Sequence, residues 1–107
     1  MYQKRSYLEN KAIIKIIADG YRYHKLKLYE AEMGYRKLPY VDIKASRYIV
    51  DRIEIITNYL DEYQKLIIQK EVIEGKKGNW YMEYFSQSTY YRHRKQAYET
   101  FLRCLDE

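Results

Sequence analysis

Between Ser86 and Ala97 the chain reads SQSTYYRHRKQA, which holds Arg92, Arg94 and Lys95 and no acid. These residue types offer cationic charge together with amide and hydroxyl groups that both donate and accept. That is the chemistry needed to pair with phosphate oxygens and with the edges of bases. It becomes useful only if the groups project to one side, and a helix starting at Ser86 would arrange that. Ser86 follows the apolar Phe85 and can accept from the free amides of a first turn, with Ser88 as a competing cap. Tyr90, Ala97, Phe101 and Leu105 then recur on one apolar stripe, with Arg94 and Cys104 at its edges and His93 near it. Gln87, Ser88, Tyr91, Arg92, Lys95 and Gln96 fall on the opposite side. The alternative is an ordinary surface helix whose basic side is merely solvated.

Other chemistry is poorly supplied. The two histidines, His24 and His93, are far apart in sequence, and Cys104 is the single cysteine. The spacing that zinc requires is therefore absent, and no disulfide within the chain is possible. Cys104 reads as a small packing residue rather than a nucleophile. His93, between Arg92 and Arg94, is suited to phosphate contact or packing. The serines Ser6, Ser46, Ser86 and Ser88 have no histidine and aspartate at suggestive spacing, and three of them suit capping. Neither an enzyme nor a bound metal or cofactor is expected.

The elements that must hold the basic helix are legible as further helical patterns. Residues 3–19 carry Tyr7, Ile13, Ile14, Ile17 and Ala18 at three- and four-residue steps. Gly20 either ends this helix or weakens it. Residues 21–38 favour helix, although the alternation of Tyr21, Tyr23, Lys25 and Lys27 would also suit a strand. Pro39, the only proline, breaks what precedes it and marks a joint at residues 38–42. A strong stripe follows through Tyr48, Ile49, Arg52, Ile53, Ile56, Tyr59 and Leu60, with Asp42 or Ser46 as its cap. The next helix, from Asp61 to Glu74, would turn Tyr63, Leu66, Ile67, Lys70 and Ile73 inward. The run Gly75-Lys76-Lys77-Gly78 ends it as a turn whose lysines can reach a phosphate backbone, since its spacing is not that of a phosphate-binding loop. Asn79 would cap a short aromatic helix from Trp80 to Phe85 that packs on both neighbours and sets the angle of the basic helix; base stacking is the other use for Trp80.

A length of 107 residues allows one modest core, and 47% hydrophobic with 33% charged residues is the balance of a folded chain. The 15 tyrosines suit boundaries where ring and hydroxyl meet different surroundings. The net charge of +5 favours an anionic partner, and its distribution is uneven: +6 in residues 1–50, −2 in residues 51–85 and +1 in residues 86–107. No apolar run is long enough to cross a bilayer, and the opening residues lack the apolar core of a signal peptide, so a cytoplasmic protein without membrane contact is expected.

The order of two helices, a short aromatic helix, and then S-x-S-T-Y-Y-R-x-R-K-x-A resembles region 4 of bacterial sigma factors. It is more similar still to phage transcriptional regulators of the ArpU/RinA type. The resemblance spans residues 43–105 and is carried by Ser86, Ser88, Thr89, Tyr90, Tyr91, Arg92, Arg94, Lys95 and Ala97. It implies an all-α fold with a helix-turn-helix bundle at 41–107; the basic, Tyr-rich N-terminal helical segment at 1–40 lies outside the resemblance and is expected to make protein contacts. By position, the family's cap falls on Ser86, its buried aliphatic on Tyr90 and its small residue on Ala97. Groove-facing positions fall on Gln87, Ser88, Tyr91 and Arg92, and backbone contacts on Lys95 or Gln96. Arg94 and the turn lysines Lys76 and Lys77 would hold phosphates. The turn lacks the usual glycine, having Glu83-Tyr84-Phe85 before Ser86. The implied partner is double-stranded DNA, with RNA polymerase and a second copy of the chain as further candidates. A helical adaptor or assembly protein without sequence-specific DNA binding is the competing expectation.

Overall fold

The computed structural model describes residues 4–107, so the expected helix start at Gln3 lies outside the described residues. Four α-helices follow one another: α1 Tyr7–Glu32, α2 Tyr40–Tyr59, α3 Glu62–Ile68 and α4 Gln87–Asp106. No strand occurs among the described residues, and the fold is all-α.

Helix α1 begins at a capping box. Ser6 Oγ accepts from the Glu9 amide at 3.2 Å, and the Ser6 amide donates to Glu9 Oε1 at 2.9 Å. Two of the free amides of the first turn are thereby satisfied. The helix then runs unbroken through Gly20, so this glycine weakens the helix without ending it and the alternating tyrosines beyond it form no strand. Tertiary packing accounts for the outcome: Asn10, Ile14, Ala18, Tyr21 and Leu28 are buried along one face and anchor both halves.

Helix α2 starts at Tyr40, earlier than a cap at Asp42 or Ser46 would place it, with Pro39 as its N-cap residue. Asp42 stands in its first turn, where a negative charge suits the helix dipole. Ser46 is not a cap. It is fully buried, and its hydroxyl lies 2.8 Å from His24 Nδ1, tying α2 to α1.

Helix α3 is capped by Asp61, whose carboxylate accepts from the Gln64 amide at 3.0 Å. Beyond Ile68 the helix widens into a π-helical turn, Gln69–Ile73, closed by the Glu74 amide donating to Gln69 O at 2.9 Å. The widened turn shifts the register. Ile67, Ile68 and Val72 are the fully buried residues of this stretch, while Tyr63, expected inside, is exposed. At Gly75 the backbone takes a φ of +69°, and an added Cβ would stand 2.8 Å from Arg22 Nη1. The positive φ is what favours glycine there, since the guanidinium end of Arg22 is flexible enough to move aside.

The aromatic segment after the turn is a single 3-10 turn, Trp80–Glu83, and Asn79 makes no side-chain cap. It is shorter than the expected helix to Phe85. All these elements share one core. Ile14, Ala18, Tyr21 and Leu28 of α1 belong to the same buried cluster as Val50 and Ile53 of α2, Ile67 of α3 and Phe101 of α4. The joint at residue 40 therefore separates helices but not cores.

Candidate nucleic-acid interface

Ser86 is the N-cap of α4: its hydroxyl accepts from the Thr89 amide at 3.3 Å, and Ser88 lies inside the helix. Fixing the start at Gln87 fixes every later side chain. Tyr90, Ala97, Tyr98, Phe101 and Leu102 are buried, while Gln87, Ser88, Tyr91, Arg92, Lys95 and Gln96 are all exposed. Ser88, Tyr91, Arg92 and Lys95 follow the i, i+3, i+4, i+7 rule of one helical face, with Gln87 and Gln96 at its margins. At 1.5 Å per residue this exposed face runs for about 14 Å, comparable with the roughly 12 Å width of a DNA major groove.

Two contacts orient α4. The ring of Tyr81, from the 3-10 turn, stacks flat on that of Tyr90 at 3.8 Å. On the neighbouring side His93 packs between Tyr63 at 4.8 Å and Phe85 at 5.6 Å. His93 is thus a packing residue of the turn. The aromatic segment packs on α4 through Tyr81, as a 3-10 turn rather than an α-helix.

Arg94 departs from the expected role. Its guanidinium turns inward, where Nε lies 3.1 Å from Glu71 Oε1 and 2.8 Å from Tyr98 Oη. Its side chain is only 17% exposed and that of Glu71 8%. The Glu71 carboxylate also accepts from Trp80 Nε1 at 2.9 Å and from the hydroxyls of Tyr90 and Tyr98. One acid of the π-helical turn therefore fastens three residues of α4 and the indole of the 3-10 turn. A guanidinium so committed is part of this internal ion pair rather than a phosphate clamp. The same arrangement raises the pKa of Tyr90 and Tyr98. Burial is the larger cause for both, and the charge and hydrogen bonds of Glu71 add to it.

Lys95 is exposed, and its ammonium lies 5.8 Å from the centre of the Tyr7 ring of α1. Lys76 and Lys77 stand exposed on the glycine turn. They line a groove of about 590 Å³ whose walls include Tyr91 and Arg94 of α4 and Lys11 and Lys15 of α1. The structure thus brings Lys76, Lys77, Tyr91 and Arg94 to one groove, while Gln87, Ser88, Arg92, Lys95 and Gln96 lie outside its lining, on the free face of α4. Sequence reasoning missed Glu71 as the partner of Arg94. A signal existed, since an arginine on the edge of an apolar stripe, in a segment with no acid, must find its counterion on another element.

No group of three or more histidine, cysteine, aspartate or glutamate side chains suited to a metal occurs among the described residues. None of the helices they form is long and apolar enough to cross a membrane. Comparison with protein-family models, with curated proteins and with solved structures finds no match to this chain.

Proposed function

We propose that this chain is a cytoplasmic, non-enzymatic DNA-binding regulator of transcription that reads duplex DNA with α4. The observation that carries this reading is the free face of α4: six polar or cationic side chains, Gln87, Ser88, Tyr91, Arg92, Lys95 and Gln96, project outward, and residues 86–97 contain no acid. Gln87, Ser88 and Arg92 have the donor and acceptor patterns that distinguish base pairs in the major groove. Lys95, with Lys76 and Lys77 of the adjacent turn, supplies phosphate contacts. The likeness of residues 43–105 to sigma region 4 and to ArpU/RinA-type regulators agrees with this assignment and rests on the motif residues alone.

A second reading, a helical adaptor or assembly protein, draws on the apolar side chains left outside the core. Ile16, Tyr23 and Leu26 of α1 and Ile55 and Tyr59 of α2 are each more than half exposed, which suits contact with protein, whether RNA polymerase or a second copy. Binding to duplex DNA over a range of salt, after selection of preferred sites from a random pool, separates the two. The DNA reading expects enrichment of a site and a steep loss of affinity with salt. Arg92→Ala should weaken the selected site by about 1–3 kcal/mol and relax one position of it. Absence of duplex binding at low salt favours the adaptor.

A further inference from the structure

Six cationic side chains against two acidic ones line the groove between α1, the glycine turn and α4. Both acids are already neutralised. Glu71 is paired with Arg94, and Asp19 lies 3.1 Å from Lys15 and 3.0 Å from Arg22. Arg22 is further occupied by donating to Val72 O at 3.2 Å, which holds the end of the π-helical turn. Among the described residues, Lys11, Lys76 and Lys77 have no recorded ion pair and are exposed. Most of the uncompensated charge of the groove therefore resides on these three, with Lys11 on one wall and the turn lysines on another, and one further charge is shared by Lys15 and Arg22 around Asp19.

Tyr91 joins this groove to the free face of α4, because it belongs to both. A polyanion lying against that face has a cationic channel beside it, and the repeating charge of a nucleic-acid strand suits three lysines spread over two walls better than one compact anion would. We infer that the groove seats the phosphodiester backbone of the bound duplex, with Lys11 of α1 as a phosphate contact opposite Lys76 and Lys77. Helix α1 is then part of the DNA interface, not only the protein-contact segment expected of residues 1–40. The inference rests on the proposed reading by α4 and adds a second wall to that site.

The test is Lys11→Gln in the full chain, with Lys44→Gln of α2, a residue outside the groove, as control. Duplex affinity is measured from low to high salt on a selected site and on random duplex, and urea unfolding checks that each variant is as stable as the parent. Loss of one phosphate contact should lower the slope of log affinity against log salt by about 0.9. The loss should be equal on both duplexes, because phosphates carry no sequence, and Lys44→Gln should keep the parent's slope. A parental slope and affinity for Lys11→Gln, while Arg92→Ala weakens binding, would overturn the groove assignment and leave α4 as the reader. Failure of the parent protein to bind any duplex would overturn both.

Discussion

Arg92 and Arg94 stand two residues apart on α4 and have opposite fates, decided by helical geometry. Arg92 lies on the free side and is exposed, whereas Arg94 reaches the buried carboxylate of Glu71. The sequence places Arg92 among the groove-facing residues and Arg94 on phosphates. It could place Arg94 at the edge of the apolar stripe, but not foresee that a π-helical turn would carry Glu71 beneath it, since that turn has no periodicity of its own to read. Removing the acid should be costly. Glu71→Ala leaves a largely buried guanidinium without its charge partner and Trp80, Tyr90 and Tyr98 without their acceptor, so a loss of about 3–5 kcal/mol is expected in urea unfolding. A loss below about 1 kcal/mol would show that water replaces the carboxylate and that the network is peripheral.

The same residues set a response to alkali. Burial raises the pKa of Tyr21, Tyr90 and Tyr98, with the charge and hydrogen bonds of Glu54 or Glu71 adding to it, and burial also raises that of Tyr7. In the unfolded chain these phenols ionise near pH 10, while in the folded protein they hold their protons to higher pH. The unfolded state therefore binds fewer protons above pH of about 10, and stability falls as pH rises from there. Absorbance titration should show a late-ionising group of tyrosines released together with unfolding. Smooth ionisation of all tyrosines near pH 10, with the fold intact, would contradict this.

At the level of elements, α4 was the most legible part of the chain. Its cap, its start and its outward residues follow from Ser86 and from the spacing of Tyr90, Ala97 and Phe101. Other elements were less so. The start of α2 was set by Pro39, a weaker signal than Asp42 or Ser46, and Ser46 proved to serve His24 instead. The inner face of α3 centres on Ile67 and Ile68, because the large aliphatic pair fills the core while Tyr63 can stay at the surface, and Tyr98 was overlooked because a tyrosine beside the stripe reads equally well as a surface residue. The cap assignment separates stability from recognition. Ser86→Ala removes the hydrogen bond to the Thr89 amide and should lower stability by about 1 kcal/mol. Ser88→Ala should leave the unfolding midpoint nearly unchanged and weaken duplex binding. A reversed pattern would mean that α4 starts two residues later and faces another way.

For the whole molecule, the all-α class and the joint at Pro39 could be read directly, but not that residues on both sides of the joint share one core. Patterning shows which face of α1 is apolar and not what it meets. That face meets α2, α4 and the π-helical turn, and Ile14, Ala18, Tyr21 and Leu28 belong to one core with residues of α2, α3 and α4. Helix α1 thus serves as the floor against which α4 is held, and its outer side remains available to a partner.

The central claim is that the free face of α4 lies against duplex DNA, and it is tested most directly by following backbone amide resonances while a selected duplex is added to the labelled protein. The account predicts that the largest shifts fall on residues 87–96 and on the turn at Lys76 and Lys77, with Ile55 and Tyr59 of α2 unmoved. Shifts confined to the outer faces of α1 and α2, or none at a duplex excess in low salt, would contradict it.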